Sequence, residues 1–182
     1  VALVQWPGVR LLLQTPDATY DRSPSMKTTR ALAELGQSLW LDNITRPLLD
    51  SGTLARYIDE LDVTGLTSNP TIYDRAIGGT DAYDAEIAEA ARVGMSGEDT
   101  FFGVALSDLR RAADLFRPVH DRTDGVDGFV SLEVSPLLAY DAEATVAQAK
   151  RLHAQGGRPN LFIKIPGTPE GLPAVEEAIA AG

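Results

Sequence analysis

Four short apolar segments alternate with amphipathic segments along this chain, and that alternation restricts the fold more than any other feature. The apolar segments predict strands at 38–42, 63–67, 128–134 and 160–165. The amphipathic segments predict helices at 28–37, 51–61, 80–93, 98–118, 141–155 and 169–181. Strands that alternate with helices pair in parallel, because each helix returns the chain to the same end of the sheet. The sequence therefore predicts an α/β fold with a parallel sheet of four βα units.

A strand and a helix are both conceivable for the apolar segment 100–106. Phe102, Leu106 and Leu109 recur every three or four positions, which is the spacing of one helical face. A segment that resembles a capping box precedes them, as expected at the start of a helix. We therefore predict one helix over about 98–118.

The composition indicates one soluble globular domain: 182 residues, 44% of them hydrophobic and 23% charged. A net charge of −10 without a basic stripe argues against nucleic acid as a partner. The chain has no cysteine, which excludes disulfides and thiolate metal sites and is compatible with a cytoplasmic location. Residues 1–25 begin with an apolar stretch that is too short and too interrupted to span a bilayer, so no membrane partner is predicted. We interpret them as a peripheral N-terminal extension, and residues 26–182 as the folded part.

Lys164 is a lone cation within the apolar segment 160–165, which has the composition of a fully buried strand. A charge in such a strand is costly unless it is paired or neutralised. A buried amine tends to lose its proton, and the free amine is a nucleophile toward carbonyl carbon atoms. The alternative is a structural lysine that reaches solvent or forms a salt bridge at the strand end.

A polar residue stands at or just beyond the carboxyl end of each predicted strand: Asp42, Asn69, Glu133 and Lys164. Functional groups of βα folds gather at that end of the sheet, so we expect these four side chains to converge on one rim. Taken singly, each has an ordinary interpretation: Asp42 as a helix cap, Asn69 as a turn residue before proline, and Glu133 as a strand-end charge.

The four residues together suit Schiff-base chemistry. An amine can attack a ketone to form an imine, whose protonated nitrogen withdraws electrons during carbon–carbon cleavage. Two carboxylates can supply the proton transfers, and an asparagine amide can orient substrate hydroxyl groups.

Other polar features are interpreted as structural. Residues 78–81 (Gly-Gly-Thr-Asp) could cradle a phosphate, but a plain turn with a helix cap is the preferred interpretation. The acidic helices at 81–92 and 108–124 are interpreted as solvated faces. His120 and His153 are interpreted as surface residues, and no metal site is predicted.

The segments that carry these four residues resemble the transaldolases. The matching segments are Leu-Trp-Leu-Asp at 39–42, Gly-Leu-Thr-Ser-Asn-Pro-Thr-Ile at 65–72, Asp-Gly-Phe-Val-Ser-Leu-Glu-Val-Ser-Pro at 127–136, and Asn-Leu-Phe-Ile-Lys-Ile-Pro-Gly-Thr at 160–168. The resemblance extends from about residue 30 to the end of the chain.

This resemblance implies a TIM-type (αβ)8 barrel that transfers a dihydroxyacetone unit from sedoheptulose 7-phosphate to glyceraldehyde 3-phosphate without metal or organic cofactor. Lys164 matches the Schiff-base lysine, and Glu133 and Asp42 match the acid/base carboxylates. Asn69 and Thr67 match substrate-binding positions. Fructose-6-phosphate aldolases of the same superfamily are the alternative, although they typically have a non-carboxylate residue where Glu133 stands.

The chain departs from the transaldolase pattern in one respect. The family continues with four more strands, which carry a catalytic-site threonine and the serine and arginine that hold the substrate phosphate. We therefore expect residues 26–182 to be the N-terminal half of such a barrel, with its first four βα units, and an inactive fragment is a further alternative. The open edges of half a barrel are a candidate surface for a homo-oligomer.

Overall fold

The computed structural model describes residues 28–182 and places four strands in one parallel sheet, in the order β1-β2-β3-β4. The strands are β1 (Leu39–Asp42), β2 (Val63–Thr67), β3 (Phe129–Glu133) and β4 (Leu161–Lys164). Every pair of neighbouring strands is parallel, with helices between them. The predicted α/β fold with four βα units is confirmed, and its strand order is that of part of a TIM-type barrel. The extension predicted at 1–25 lies outside the described residues.

Eight α-helices accompany the strands in the described part of the chain: α1 (Thr28–Glu34), α2 (Arg46–Asp50), α3 (Thr53–Leu61), α4 (Pro70–Gly78), α5 (Asp84–Arg92), α6 (Gly97–Arg122), α7 (Ala142–Gly156) and α8 (Gly171–Ala180). Short 3-10 turns at 81–83 and 136–138 complete the secondary structure. Over residues 28–182, no helix combines the length and the apolar character that crossing a membrane requires.

Two of these helices, α2 and α4, were not predicted from the sequence. Pro70 follows β2 closely and occupies the first position of α4, a position that proline fits because its missing N–H needs no partner there. The start of α2 is similar: Thr45 is its N-cap, and Pro47 lies in its first turn. Both helices are short and follow a strand almost directly, so they show little periodicity of their own.

The segment 100–106 is helical, as predicted, and belongs to the long helix α6. This helix extends beyond the predicted end at 118 and finishes at Arg122. Pro118 removes one backbone hydrogen bond but does not end the helix. The last turn is held by Thr123, whose hydroxyl donates to the carbonyl of Val119 at 2.9 Å.

The sheet buries one face beneath the helices. Leu66, Val130 and Leu132 point to this side and lie in a core with α3, α6 and α7. Burial of each such side chain contributes about 1.5–3 kcal/mol to folding. Asn160, which is buried just before β4, donates from its amide to the carbonyls of Ala113 and Gly128 and so fastens β4 to α6 and β3.

The opposite face of the sheet, called the inner face below, is partly exposed. Alternation along the strands places these residues on it: Trp40, Asp42, Gly65, Thr67, Phe129, Ser131, Glu133, Phe162 and Lys164. The Trp40 indole lies across Gly65, where an added Cβ would clash with the ring. Phe129 and Phe162 stack with their ring centroids 3.9 Å apart. Trp40 is 39% exposed and Phe162 is 48% exposed.

The interpretation of the acidic helices as solvated faces is wrong for Asp108. This residue of α6 is fully buried and accepts hydrogen bonds from the Arg46 Nε, at 2.9 Å, and from the Tyr83 hydroxyl, at 3.0 Å. Arg46 also donates to Glu86 at 2.7 Å. A buried carboxylate needs such partners, and here they fasten the start of α2 to α6.

The interpretation of His120 as a surface residue also needs correction. Its side chain is only 18% exposed, and its ring meets Phe129 edge to face with the centroids 5.2 Å apart. His153 is exposed, as predicted. At 78–81 the expected turn is present, and Thr80 accepts a hydrogen bond from the backbone of Ala82.

Candidate active site

Asp42 ends β1 with an exposed side chain on the inner face, level with Thr67 of β2. Its carboxylate has no hydrogen bond or ion pair with any other residue of 28–182. The interpretation of Asp42 as a helix cap is wrong, because Thr45 caps the following helix by accepting from the backbone N–H of Leu48 at 3.1 Å. The Asp42 carboxylate is therefore available to a ligand.

Asn69 follows β2 and is the N-cap of α4. Its Oδ1 accepts a hydrogen bond from the backbone N–H of Ile72 at 3.0 Å, so Asn69 has a structural role as a helix cap and not as the turn residue that the ordinary interpretation proposed. Capping uses the carbonyl end of the side chain alone. The amide Nδ2 makes no hydrogen bond within the described residues and remains a donor for a ligand.

Glu133 and Lys164 end the neighbouring strands β3 and β4 in direct register. The Lys164 Nζ lies 3.6 Å from the Glu133 Oε2, which is an ion pair at the strand end. The expectation that Lys164 lies in a fully buried strand is wrong for this chain, since its side chain is 38% exposed and that of Glu133 is 30% exposed. Neighbouring Phe162 points to the same partly open inner face. The contact with Glu133 nevertheless puts a proton acceptor next to the amine.

Thr67 and Ser131 lie in register on the two central strands β2 and β3, between Asp42 on β1 and Lys164 on β4. The Ser131 hydroxyl donates to the Thr67 Oγ1 at 3.0 Å, and the Ser68 hydroxyl donates to the Ser131 carbonyl at 2.8 Å. Ser131 was missed by the sequence reasoning. Its position two residues before Glu133 on an alternating strand was the available signal.

An open cleft of about 600 Å³ lies at this end of the sheet. Asp42, Asn69 and Glu133 line it, and Lys164 contacts Glu133. Arg75 of α4 also lines the cleft and was not singled out in the sequence. The cleft and the ion pair thus bring together an amine, two carboxylates and an amide donor.

This arrangement has the components that imine chemistry needs. The amine is the nucleophile, the adjacent carboxylate can relay protons to and from it, and the second carboxylate lines the same cleft as Glu133. Residues 28–182 contain no cluster of three or more histidine, aspartate or glutamate side chains arranged to hold a metal ion.

Comparison with known proteins agrees with these features. Residues 39–182 match the family described as Transaldolase/Fructose-6-phosphate aldolase. The chain is 50% identical over 151 residues to the transaldolase of Thermobifida fusca, covering 83% of this chain and 41% of that protein. Its identity to transaldolase 2 of Nostoc punctiforme is 44% over 151 residues, 83% of this chain and 40% of the relative. Its identity to the transaldolase of Thiobacillus denitrificans is 45% over 157 residues, 86% and 44% of the two chains.

The chain spans roughly two fifths of the length of these relatives, 40–44%. The matched region contains all four strands and every residue of the site described above. The family match covers well over half of the chain, and the identities exceed 40%. The chain belongs to the transaldolase/fructose-6-phosphate aldolase family.

Proposed function

We propose that this chain carries the Schiff-base centre of a transaldolase, which transfers a dihydroxyacetone unit from sedoheptulose 7-phosphate to glyceraldehyde 3-phosphate. The observation that supports this most directly is the Lys164–Glu133 pair, 3.6 Å apart, next to a cleft lined by Asp42 and Asn69. The activity belongs to the non-oxidative pentose phosphate pathway, and we propose a cytoplasmic location for it.

The first half of the proposed reaction joins the donor ketose to Lys164. The neutral Nζ attacks the C2 carbonyl carbon, and the resulting carbinolamine loses water to give a protonated imine. Among residues 28–182, Glu133 is the carboxylate paired with this nitrogen, and we assign to it the proton transfers of imine formation and hydrolysis, with a water molecule bridging where needed. Thr67 and Asn69 are proposed to hold the substrate hydroxyl groups.

The second half breaks and remakes a carbon–carbon bond. A base takes the proton of the C4 hydroxyl, the C3–C4 electron pair moves toward the iminium nitrogen, and erythrose 4-phosphate leaves as the aldehyde. We assign this base to Asp42, which lines the cleft and has no partner within the described residues. The enamine left on Lys164 then attacks glyceraldehyde 3-phosphate, and hydrolysis releases fructose 6-phosphate and the free amine.

Reductive trapping tests the assignment of Lys164. The chain is incubated with fructose 6-phosphate and borohydride, and the modified peptide is mapped by mass spectrometry. We expect a label on Lys164 and none in Lys164→Ala. Lys150→Ala is the matched control, because Lys150 is an exposed lysine held by Glu177 at 2.7 Å on the helical layer. A label on Lys150 instead of Lys164 would show that the assignment is wrong.

The family description also names fructose-6-phosphate aldolase, and product analysis separates the two activities. An aldolase releases glyceraldehyde 3-phosphate and dihydroxyacetone from fructose 6-phosphate without an acceptor. A transaldolase keeps the three-carbon unit on Lys164 until an aldehyde arrives. We expect the label to accumulate and little free dihydroxyacetone to form when no acceptor is present.

A further inference from the structure

The Glu133 carboxylate is held in place by little besides its own backbone. Its only ion pair within residues 28–182 is the one with Lys164, and no described donor forms a hydrogen bond with it. Its side chain is partly exposed and lines the open cleft. The distance of 3.6 Å between this carboxylate and the Lys164 amine therefore depends on how the chain leaves β3.

Two backbone N–H groups fix the chain directly after Glu133. The N–H of Val134 donates to the carbonyl of Lys164 at 3.1 Å, which continues the pairing of β3 with β4 by one residue. The next N–H, of Ser135, donates to a side chain instead: the Oε1 of Gln148, on α7, at 2.6 Å. Ser135 and Gln148 are both buried, so water competes little for this hydrogen bond.

The Gln148 amide has one orientation, and Glu98 determines it. The Gln148 Nε2 donates to the Oε1 of Glu98, in the first turn of α6, at 3.0 Å. An ionised carboxylate only accepts hydrogen bonds, so the NH2 group of the amide must face Glu98. The amide oxygen then faces the N–H of Ser135. The Gln148 side chain thus links α6 and α7 to the segment that follows Glu133.

We propose that Gln148 is a positioning residue for the reaction at Lys164: by holding the N–H of Ser135, it keeps the Glu133 carboxylate next to the amine. This inference rests on the proposed function and adds to it a residue of the helical layer. Gln148 is not among the residues that line the cleft, so it acts through the backbone that carries Glu133. Proton transfer depends steeply on geometry, and a misplacement of about 1 Å can cost up to about 10²-fold in rate.

The test measures imine formation on Lys164 by rapid quench into borohydride, over a series of fructose 6-phosphate concentrations. Gln148→Met keeps the length of the side chain but has no oxygen for the Ser135 N–H. Gln148→Asn keeps an amide but is one methylene too short for the hydrogen bond. Each should lower the limiting rate about tenfold and leave the half-saturating concentration unchanged, because the groups proposed to bind the ligand are untouched. Gln148→Asn leaves room for a water molecule on the Ser135 N–H, so it provides the result if Gln148→Met does not fold.

Thr145→Val is the matched control. Thr145 lies three positions before Gln148 on α7, is also buried, and donates from its hydroxyl to the carbonyl of Leu138 at 2.8 Å. The variant therefore removes a buried hydrogen bond between the same helix and the same segment after β3, but farther from Glu133. It should lower the midpoint of urea denaturation and leave the rate of imine formation unchanged.

A double substitution tests whether the hydrogen bond to Ser135, and not the glutamine itself, is what matters. Glu98→Gln combined with Gln148→Glu exchanges the amide and the carboxylate without changing the net charge. The carboxylate on α7 can accept from the Ser135 N–H and from the amide on α6. The exchanged chain should therefore regain most of the rate that Gln148→Met loses.

The outcomes separate this inference from the proposed function. A limiting rate that is unchanged in the folded Gln148 variants, that falls equally in Thr145→Val, or that stays low in the exchanged chain would overturn the role of Gln148. Each of these results would leave the Schiff-base centre intact. No trapping on Lys164 of the unchanged chain would overturn the proposed function, and this inference with it.

Discussion

Asn69 combines a structural and a proposed functional role in one side chain, and substitutions can separate them. Its Oδ1 caps α4, and its Nδ2 is free among the described residues. Asn69→Ser keeps a capping oxygen, so we expect the free energy of unfolding to stay within about 0.5 kcal/mol of the original. Asn69→Ala removes the cap and should cost about 1 kcal/mol.

Both variants lack the amide and should trap fructose 6-phosphate with a higher half-saturating concentration. Urea denaturation gives the stability, and borohydride trapping gives the affinity. If Asn69→Ser traps the ligand as well as the unchanged chain does, Asn69 is only a helix cap.

Glu133 and Asp42 are both carboxylates of the site, but their surroundings predict effects on different steps. Glu133 contacts the amine, so Glu133→Gln should slow imine formation by about 10²-fold or more, the usual contribution of general acid–base catalysis. Asp42 has no contact with Lys164 among those described, so Asp42→Asn should form the imine but release little aldehyde. Rapid-quench trapping measures the first step, and an aldehyde assay measures the second. Identical profiles for the two variants would contradict these separate roles.

At the scale of the elements, a polar cluster of Arg46, Tyr83, Glu86 and Asp108 determines where the start of α2 lies. The Tyr83 hydroxyl donates to Asp108 of α6 and accepts from the backbone N–H of Arg46 at 2.8 Å. Arg46 begins α2, four positions after Asp42. The cluster therefore holds the segment that follows the proposed base.

Burial raises the pKa of Tyr83 from 10.0 to about 12, with the charge of Asp108 adding to the effect. The folded chain keeps the phenol neutral, whereas the unfolded chain ionises it near pH 10. The stability that this group provides is therefore complete below pH 10 and is lost as the pH rises toward 12.

Tyr83→Phe should destabilise the chain by about 1–2 kcal/mol at pH 8, because Asp108 and the Arg46 N–H lose a partner. By pH 11 the difference in stability should narrow. The unchanged chain loses stability as Tyr83 ionises in its unfolded state, whereas phenylalanine has no proton to lose. Urea denaturation at the two pH values measures the difference. A gap that is constant or wider at pH 11 would contradict a raised pKa of Tyr83.

The four strands were predictable within one residue at every end, because β-branched and aromatic runs between turn residues are a local signal. The helices α2 and α4 were not predictable in this way, because their capping residues directly follow the strands before them and resemble strand-end turns. The positions of four site residues could be predicted because each lies at or just after the carboxyl end of a strand: Asp42, Asn69, Glu133 and Lys164. The burial of Asp108 and the place of Arg75 in the cleft depend on partners far away in the sequence, which no local pattern reveals.

At the scale of the whole molecule, the inner face and the two outer strands determine how this chain behaves in solution. β1 and β4 each pair on one side only within the described sheet. Trp40 and Phe162 expose 39% and 48% of their surface beside these edges. Unpaired strand edges next to exposed aromatic side chains favour association with another chain.

We therefore expect the 182-residue chain to self-associate at micromolar concentration, with β4 and the aromatic residues of the inner face in the contact. Phe162→Ser should shift the association to higher concentration, because it removes an exposed ring from the inner face without touching the helical core. Val93→Ser is the control, since Val93 is comparably exposed, at 58%, but lies at the end of α5 on the helical layer. Sedimentation velocity over a concentration series distinguishes the variants. A chain that stays monomeric at about 100 μM, or equal effects of the two substitutions, would show that the open face and edges do not drive association, since the associated fraction rises with concentration by mass action.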